Sequence, residues 1–269
     1  MTMGVMMMSC DADVSPGFYE TGRFLAEYAS YLRGCGATSI RTCRNTLRIA
    51  EAYGLEAVVS TDTVVTSLIL RDSESGFTGR FSAFPVDAGI NFDINASLSA
   101  LSWNIMDEKI PLEKAVREFR KITSRKYASG WNVLLLTSLA NASFCRLFGG
   151  DSSAMLIVFL STAAGCMVKR MLLERRVDVR VVFFIAAYLS ALLCCGSLFF
   201  NWTATPQVSL ATSVLYLIPG VPYINSASDF LSRRYLSSVV RLADALILTA
   251  ALSAGLCLAL FTMNVTMIW

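Results

Sequence analysis

The stretch Leu217–Phe230, "LIPGVPYINSASDF", lies among segments that read as oily membrane helices, yet it holds two prolines, a glycine, an asparagine and an aspartate. Pro219 and Pro222 each lack a backbone N–H, and Gly220 permits a sharp bend, so a helix entering this stretch is expected to break around residues 218–222. Irregular backbone at membrane depth survives only where protein buries it or water lines it. How this stretch is read decides between a passive hydrophobic anchor and a membrane domain with a polar interior.

The surrounding chain supports a membrane protein. Its 269 residues are 55% hydrophobic and 16% charged, with a net charge of +3 and no histidine. The mean hydropathy of +0.55 is too high for an ordinary soluble domain of this size. Charges of both signs are interspersed up to about Lys126, then retreat into short clusters from Gly130 onward, which marks a boundary in "SRKYASGW", Ser124 to Trp131.

Five apolar segments follow that boundary, at about 131–148, 153–169, 181–200, 208–224 and 238–262. Each approaches the ~20 residues a helix needs to cross ~30 Å of hydrocarbon. Arg120, Lys121, Arg125 and Lys126 precede the first segment, "VKRMLLERRVDVR" (Val168 to Arg180) joins the second and third, and Arg233 and Arg234 join the fourth and fifth. The loops "GGDSS" (Gly149 to Ser153) and "NWTATPQ" (Asn201 to Gln207) carry no lysine or arginine. Basic loops stay inside, so the N-terminal domain is expected in the cytoplasm and "NVTMIW" outside an inner, multi-pass membrane protein.

The opening "MTMGVMMMSCDADV" has no basic region, and its apolar run soon meets Asp11 and Asp13, so residues 1–16 are expected to form a disordered tail rather than a secretory signal. Residues 17–126 read as a small α+β cytoplasmic domain. "SPGFYETGRFLAEYASYLRGCG" is a helix with Ser15 as N-cap and Gly34 and Gly36 closing it. "ATSIRTCRNTLRIAEAYG" is a second, with Ile40, Cys43, Leu47 and Ala50 on one face, Arg41, Arg44 and Arg48 on the other, and a stop at Gly54. "LEAVVS", "DTVVTSLILR" and "GFTGRFSAF" are two or three short strands, and helices are expected at about 91–106 and 111–123. The fold class is thus a small α+β domain followed by an all-α transmembrane bundle of about five helices over residues 131–263.

Catalysis finds little support. The absence of histidine removes Ser-His-Asp, Cys-His and histidine metal sites, and no motif links Asp87, Asp93, Asp107 and Glu108. The eight cysteines include no C-x-x-C pair and read as small buried residues. "GCGATS" lacks the flanking strand of a phosphate loop and reads as a helix-to-helix turn, and the arginine row reads as a solvated face. No enzyme activity, cofactor, metal or nucleic-acid partner is expected.

The polar groups in or beside the spans carry more. Asn141 and Arg146 lie in the first span, Asn225 and Asp229 follow the fourth, and Arg241 and Asp244 open the fifth. A charge at the bilayer centre costs at least ~2.5–3.5 kcal/mol, so such residues usually face a bundle interior, a partner or a pathway. Near an interface Arg146 and Arg241 have the alternative of snorkelling. The spans themselves are crowded with small residues, as in "LSTAAGCM" and "LTAALSAGLCLAL", which favours close helix packing.

"LIPGVPYINSASDFLSRRYLSSVVRLADALILTAALSAG" resembles the signature of the threonine/serine exporter family: a Pro-Gly pair, then Asn, Asp, an Arg opening the next helix, and a Gly near its end. The matching residues are Pro219, Gly220, Asn225, Asp229, Arg241 and Gly255. "GATSIRTCRNTLRIAEAYGLE" and "LSALSWNIMDEKIPLEKAVREFRKI" resemble the family's cytoplasmic domain, so the similarity runs from about Tyr19 to Leu260. Two departures stand out: the family often has glycines where this chain has Arg233 and Ser238, and its full-length members have about twice as many spans.

The resemblance implies secondary export of a small polar metabolite of the threonine/serine type, or alternatively of a small dicarboxylate such as succinate. It also implies a split transporter completed by a second small membrane subunit or by homo-oligomerisation. The implied substrate or coupling-ion path uses Pro219, Gly220, Asn225, Asp229, Arg241 and Asp244, with Asn141 and Arg146 as further lining residues. A membrane-anchored cytoplasmic sensor or enzyme is the competing expectation, although an anchor needs neither a broken helix nor polar groups beyond the break.

Overall fold

The computed structural model describes residues 5–7, 16–61, 65–84, 86, 89–125, 130–200 and 202–263. Ser15, Asp87, Lys126 and "NVTMIW", each given a role above, lie outside the described residues. Two compact units emerge: Met1–Lys126 with Val221–Leu242, and Tyr127–Gly220 with Ala243–Trp269.

The first unit opens with β1 (Val5–Met7), a short strand within the stretch expected to lack order. Then come α1 (Pro16–Gly34), α2 (Ser39–Ala52), β2 (Leu55–Thr61), β3 (Thr66–Asp72), β4 (Thr78–Ala83), α3 (Phe92–Glu108) and α4 (Leu112–Thr123). The strands form an antiparallel sheet in the order β1-β4-β3-β2, with Val58 opposite Ile69 and Ile69 opposite Arg80. Alternation along β3 and β4 sends Leu68, Leu70 and Phe81 into the core, where they meet Phe18, Leu25, Tyr28 and Leu32 of α1 at helical spacing. Gly22 makes that approach feasible, because a Cβ there would lie 2.2 Å from the Phe81 ring.

The α2 helix departs from its expected orientation. Its buried residues are Ser39, Thr42, Cys43, Asn45, Thr46, Ile49 and Ala50, whereas Leu47 is exposed. The reason is a polar seam with α3: Arg41 donates to Asn95 at 3.1 Å, Asn45 to Ser99 at 3.0 Å, and Arg48 to Ser102 at 2.7 Å. The Arg48 guanidinium also sits 3.6 Å from the centre of the Trp103 ring. Two of the three arginines expected to be solvated therefore bind a neighbouring helix, and only Arg44 keeps the simple exposed role.

Beyond the boundary lie α5 (Gly130–Leu147), α6 (Ser152–Glu174), α7 (Val179–Phe199) and α8 (Pro206–Ser213), the last followed by a 3-10 turn at Leu215–Leu217. The chain breaks at Ile218 and Pro219, then resumes as α9 (Gly220–Leu231) and α10 (Tyr235–Thr262). Among the described residues α6, α7 and α10 are long and apolar enough to cross a membrane, and a fourth crossing exists if the helices flanking the break count as one broken span. Of the five expected spans, three or four are matched by such helices among the described residues. α5 falls short because Asn132, Thr137, Ser138, Asn141, Ser143 and Arg146 dilute its apolar residues.

The second unit packs through small and polar residues. The amide of Asn141 donates to Thr162 Oγ1 at 2.7 Å and to the Thr212 carbonyl at 3.0 Å, tying α5 to α6 and α8. Ser190 of α7 meets the Tyr216 hydroxyl at 3.0 Å, and Gly165 of α6 leaves room for both. On α10, a Cβ at Gly255 would lie 2.4 Å from the Phe184 carbonyl oxygen, so α7 and α10 touch backbone to backbone there. Asp151 caps α6 by accepting from the Ala154 N–H at 2.9 Å. It also accepts from Thr203, Thr205 and the Ala204 N–H, which joins the two loops that lack basic residues.

Two outcomes follow from this packing. Gly255→Ala forces the α7 and α10 backbones apart and is expected to cost about 1–3 kcal/mol in thermal unfolding of the purified protein, since a Cβ cannot be relieved by a side-chain shift; a loss below about 0.5 kcal/mol would mean the helices do not touch. The Thr203 hydroxyl, then the Ala154 N–H, hold the Asp151 carboxyl down from its ordinary 3.8 to about 2. A depressed folded pKa means stabilisation that is complete above the ordinary value and lost as pH falls from about 4 through about 2. Asp151→Asn should flatten that part of the melting-temperature profile, and an unchanged profile would remove Asp151 as its source.

Candidate functional site

The break that begins the site has a local cause. A residue before proline is pushed out of the helical region, and Ile218 is extended, with φ −60° and ψ 124°. Pro222 then falls in the first turn of α9, where its missing N–H has no partner to lose. Gly220 has no positive φ among the described residues. Pro219 is therefore the breaker and Pro222 an initiator, and Asn225 and Asp229, beyond the fourth expected span, lie on a helix.

α9 is inside out. Its buried side chains are Asn225, Ser226 and Asp229, while Ile224, Phe230 and Leu231 are exposed. A helix at the surface of a soluble protein shows the reverse arrangement. Its polar face meets the turn between α1 and α2, the "GATS" of residues 36–39. The Asn225 amide donates to the Gly36 carbonyl at 3.0 Å. Ser39, the first residue of α2, donates its hydroxyl to Asp229 Oδ2 at 2.9 Å.

Asp229 is fully buried and Arg241 reaches it from the second turn of α10, with Nε 3.1 Å from Oδ2 and 15% of the Arg241 side chain exposed. Arg241 Nη2 also lies 3.4 Å from Ser39 Oγ and 3.5 Å from the Ala37 carbonyl oxygen. Asp229 Oδ1 is buried with no hydrogen-bond partner among the described residues. Beside this cluster Arg234 donates to Cys43 Sγ at 3.0 Å. Burial pushes the Cys43 thiol up, and the Arg234 charge partly opposes that shift.

The two positions that depart from the family's glycines are both accounted for here. Arg233 has φ 59° in the left-handed turn that ends α9, with the Arg234 N–H donating to the Asp229 carbonyl at 2.9 Å. Ser238 is buried against Ser226, and each hydroxyl donates to the other residue's carbonyl at 2.9 Å. A glycine suits the first place for its backbone and the second for its size.

Of the residues singled out from the sequence, Asn225, Asp229 and Arg241 come together. Asn141 is buried in the α5–α6–α8 packing, Arg146 donates to the Gly150 carbonyl at 3.1 Å, and Asp244 is exposed on α10. Ser39 and the Gly36–Ala37 carbonyls were missed, because nothing in "GCGATS" signals that a segment some 190 residues away will pack on it. A buried ion pair broken by deleting one partner leaves an uncompensated charge, so Arg241→Ala is expected to cost about 3–5 kcal/mol. Asp229→Ala combined with Arg241→Ala should cost clearly less than the two single losses added, as measured by thermal unfolding; strict additivity would show that the two side chains do not interact.

Two curated transporter subunits are similar to the chain along most of their length. At 25% identity over 88% of this chain and 92% of its own length, the protein named "Probable succinate transporter subunit YjjP" from Klebsiella aerogenes is similar to it. The Escherichia coli protein of the same name is 26% identical over 88% of this chain and 93% of its own. No solved structure gives a significant match. The family model described as "ThrE: Putative threonine/serine exporter" matches residues 23–263, so the chain belongs to the ThrE family of membrane exporters.

Proposed function

We propose that this chain is one subunit of a secondary transporter that moves a small carboxylate-bearing metabolite out of the cytoplasm. The observation that carries this reading is the Asp229–Arg241 pair, buried beside Ser39 on an inside-out helix that follows a broken one. A passive anchor has no use for a buried ion pair, and ionisable groups in such regions usually mark substrate or ion pathways. Broken helices supply free backbone groups at transport sites, which is the role assigned to Pro219 and Gly220.

In this reading Arg241 takes a substrate carboxylate, and Asn225 and the 218–219 backbone line the path. Asn141 and Arg146 are left out because both are engaged in packing. The N-terminal unit lies in the cytoplasm, since its boundary carries Arg120, Lys121 and Arg125 and since Arg234, on a basic loop, contacts Cys43 of α2. With three or four crossings, the chain works with a second small membrane subunit, in keeping with the word "subunit" in both relatives' names.

A succinate-type dicarboxylate is the first substrate, because two relatives matched along nearly their whole length carry that name. Threonine or serine is the second, favoured by the family description and by Asp229, whose carboxylate suits the ammonium group of a zwitterion.

Reconstitution of the chain with and without a candidate second small membrane subunit, loaded with labelled succinate, serine or threonine, tests this. Succinate efflux is expected only with both subunits, and Arg241→Lys should lower it at least about tenfold by replacing the planar fork with a point charge. Efflux of none of the three, or full activity in Arg241→Lys, would overturn the reading. Efflux of serine and threonine alone would select the second substrate.

A further inference from the structure

We propose that Asp229 is a tethered competitor for the substrate: its carboxylate occupies the place between Ser39 and Arg241 that a substrate carboxylate takes, and transport begins with its displacement. This rests on reading the pair as the substrate site. The donors around Asp229 are those that bind a free carboxylate, namely a hydroxyl, a guanidinium and the first turn of a 14-residue helix whose dipole favours negative charge. Their present occupant is a carboxylate of the chain itself.

That occupant is held with half its capacity. Oδ2 receives the Ser39 hydroxyl and meets Arg241, whereas Oδ1 is buried with no hydrogen-bond partner among the described residues. Arg241 Nε lies 3.1 Å from that same Oδ2, so both of these partners converge on one carboxylate oxygen. A clamp selected for stability satisfies both oxygens, because a buried acceptor left unmade is costly. A displaceable group gains from that deficit, since an incoming carboxylate free to orient itself can satisfy both of its oxygens.

Asp229 is also placed to leave. It lies in the last turn of α9, next to the turn in which Arg233 adopts φ 59°, a strained conformation for a side-chain-bearing residue. Ser226 and Asn225, a turn earlier, hold α9 to Ser238 and Gly36 independently of the carboxylate. Displacement can therefore move the end of α9 without releasing the whole helix. The charged or titratable neighbours are Arg241 from α10, Arg234 from the turn, and Cys43 from α2, so the guanidinium that loses Asp229 is the one that gains the substrate. The site then answers to carboxylate anions and not to neutral polar molecules.

Calorimetric titration of succinate and L-serine into the full chain with its partner subunit, as wild type and as Asp229→Asn, tests the proposal. Removing the competitor should tighten succinate binding at least about tenfold, because the wild type binds only from the fraction in which Asp229 has left. Equal or weaker succinate binding by Asp229→Asn overturns the proposal, as does serine binding that the variant loses, which would make Asp229 a ligand of the ammonium group. If neither protein binds either compound, the substrate-site reading itself falls. A second measurement needs no variant: in the wild type, saturating succinate should speed amide hydrogen exchange in residues 223–231 and slow it in residues 39–42. Protection of both segments, or of neither, overturns displacement.

Discussion

Burying a carboxylate is costly unless the chain brings it a cation and a donor, and at Asp229 these are Arg241 and Ser39. Much of the first unit is arranged to satisfy that condition. α9 must turn its polar face inward, which leaves Ile224, Phe230 and Leu231 exposed. The turn after α9 must bring the start of α10 back alongside, and it does so through a left-handed Arg233 and a reciprocal Ser226–Ser238 contact. The "GATS" turn must present Ser39 and two carbonyls to the same place, which makes the N-terminal domain part of the site.

The second unit obeys a different constraint. Apolar helices gain little from associating in an apolar medium, so close contact depends on small residues and a few hydrogen bonds. Gly165 and Gly255 admit neighbouring atoms that any side chain would exclude. Asn141 binds across two helices, and Asp151 gathers two loops at one end. These polar residues serve packing, while Asp229 Oδ1 in the first unit has no hydrogen-bond partner among the described residues, and that difference separates a structural polar group from a candidate functional one.

Several features were legible in the sequence because they depend on local physics. The break at Pro219 follows from steric rules that act between adjacent residues. The strands at β2, β3 and β4 and the helices α3 and α4 fall where alternation, capping and glycine stops put them. Asn225, Asp229 and Arg241 stood out because polar groups beside apolar spans are costly. Less local expectations failed: Pro222 starts a helix instead of breaking one, and Leu47 is exposed because α2 turns Ser39 toward α9 and Asn45 toward α3.

What the sequence determined by itself was therefore the helices α1–α4 and strands β2–β4, the location of the break and the identity of the charged groups, since propensity, proline sterics and hydropathy act over a few residues. Only the tertiary structure decided that Asp229 meets Arg241 and Ser39, that the turn after α1 belongs to the site, and that one carboxylate oxygen has no hydrogen-bond partner among the described residues. Those outcomes depend on which faces pack together across some 190 residues of chain, and burial turns such contacts from negligible to dominant by removing water.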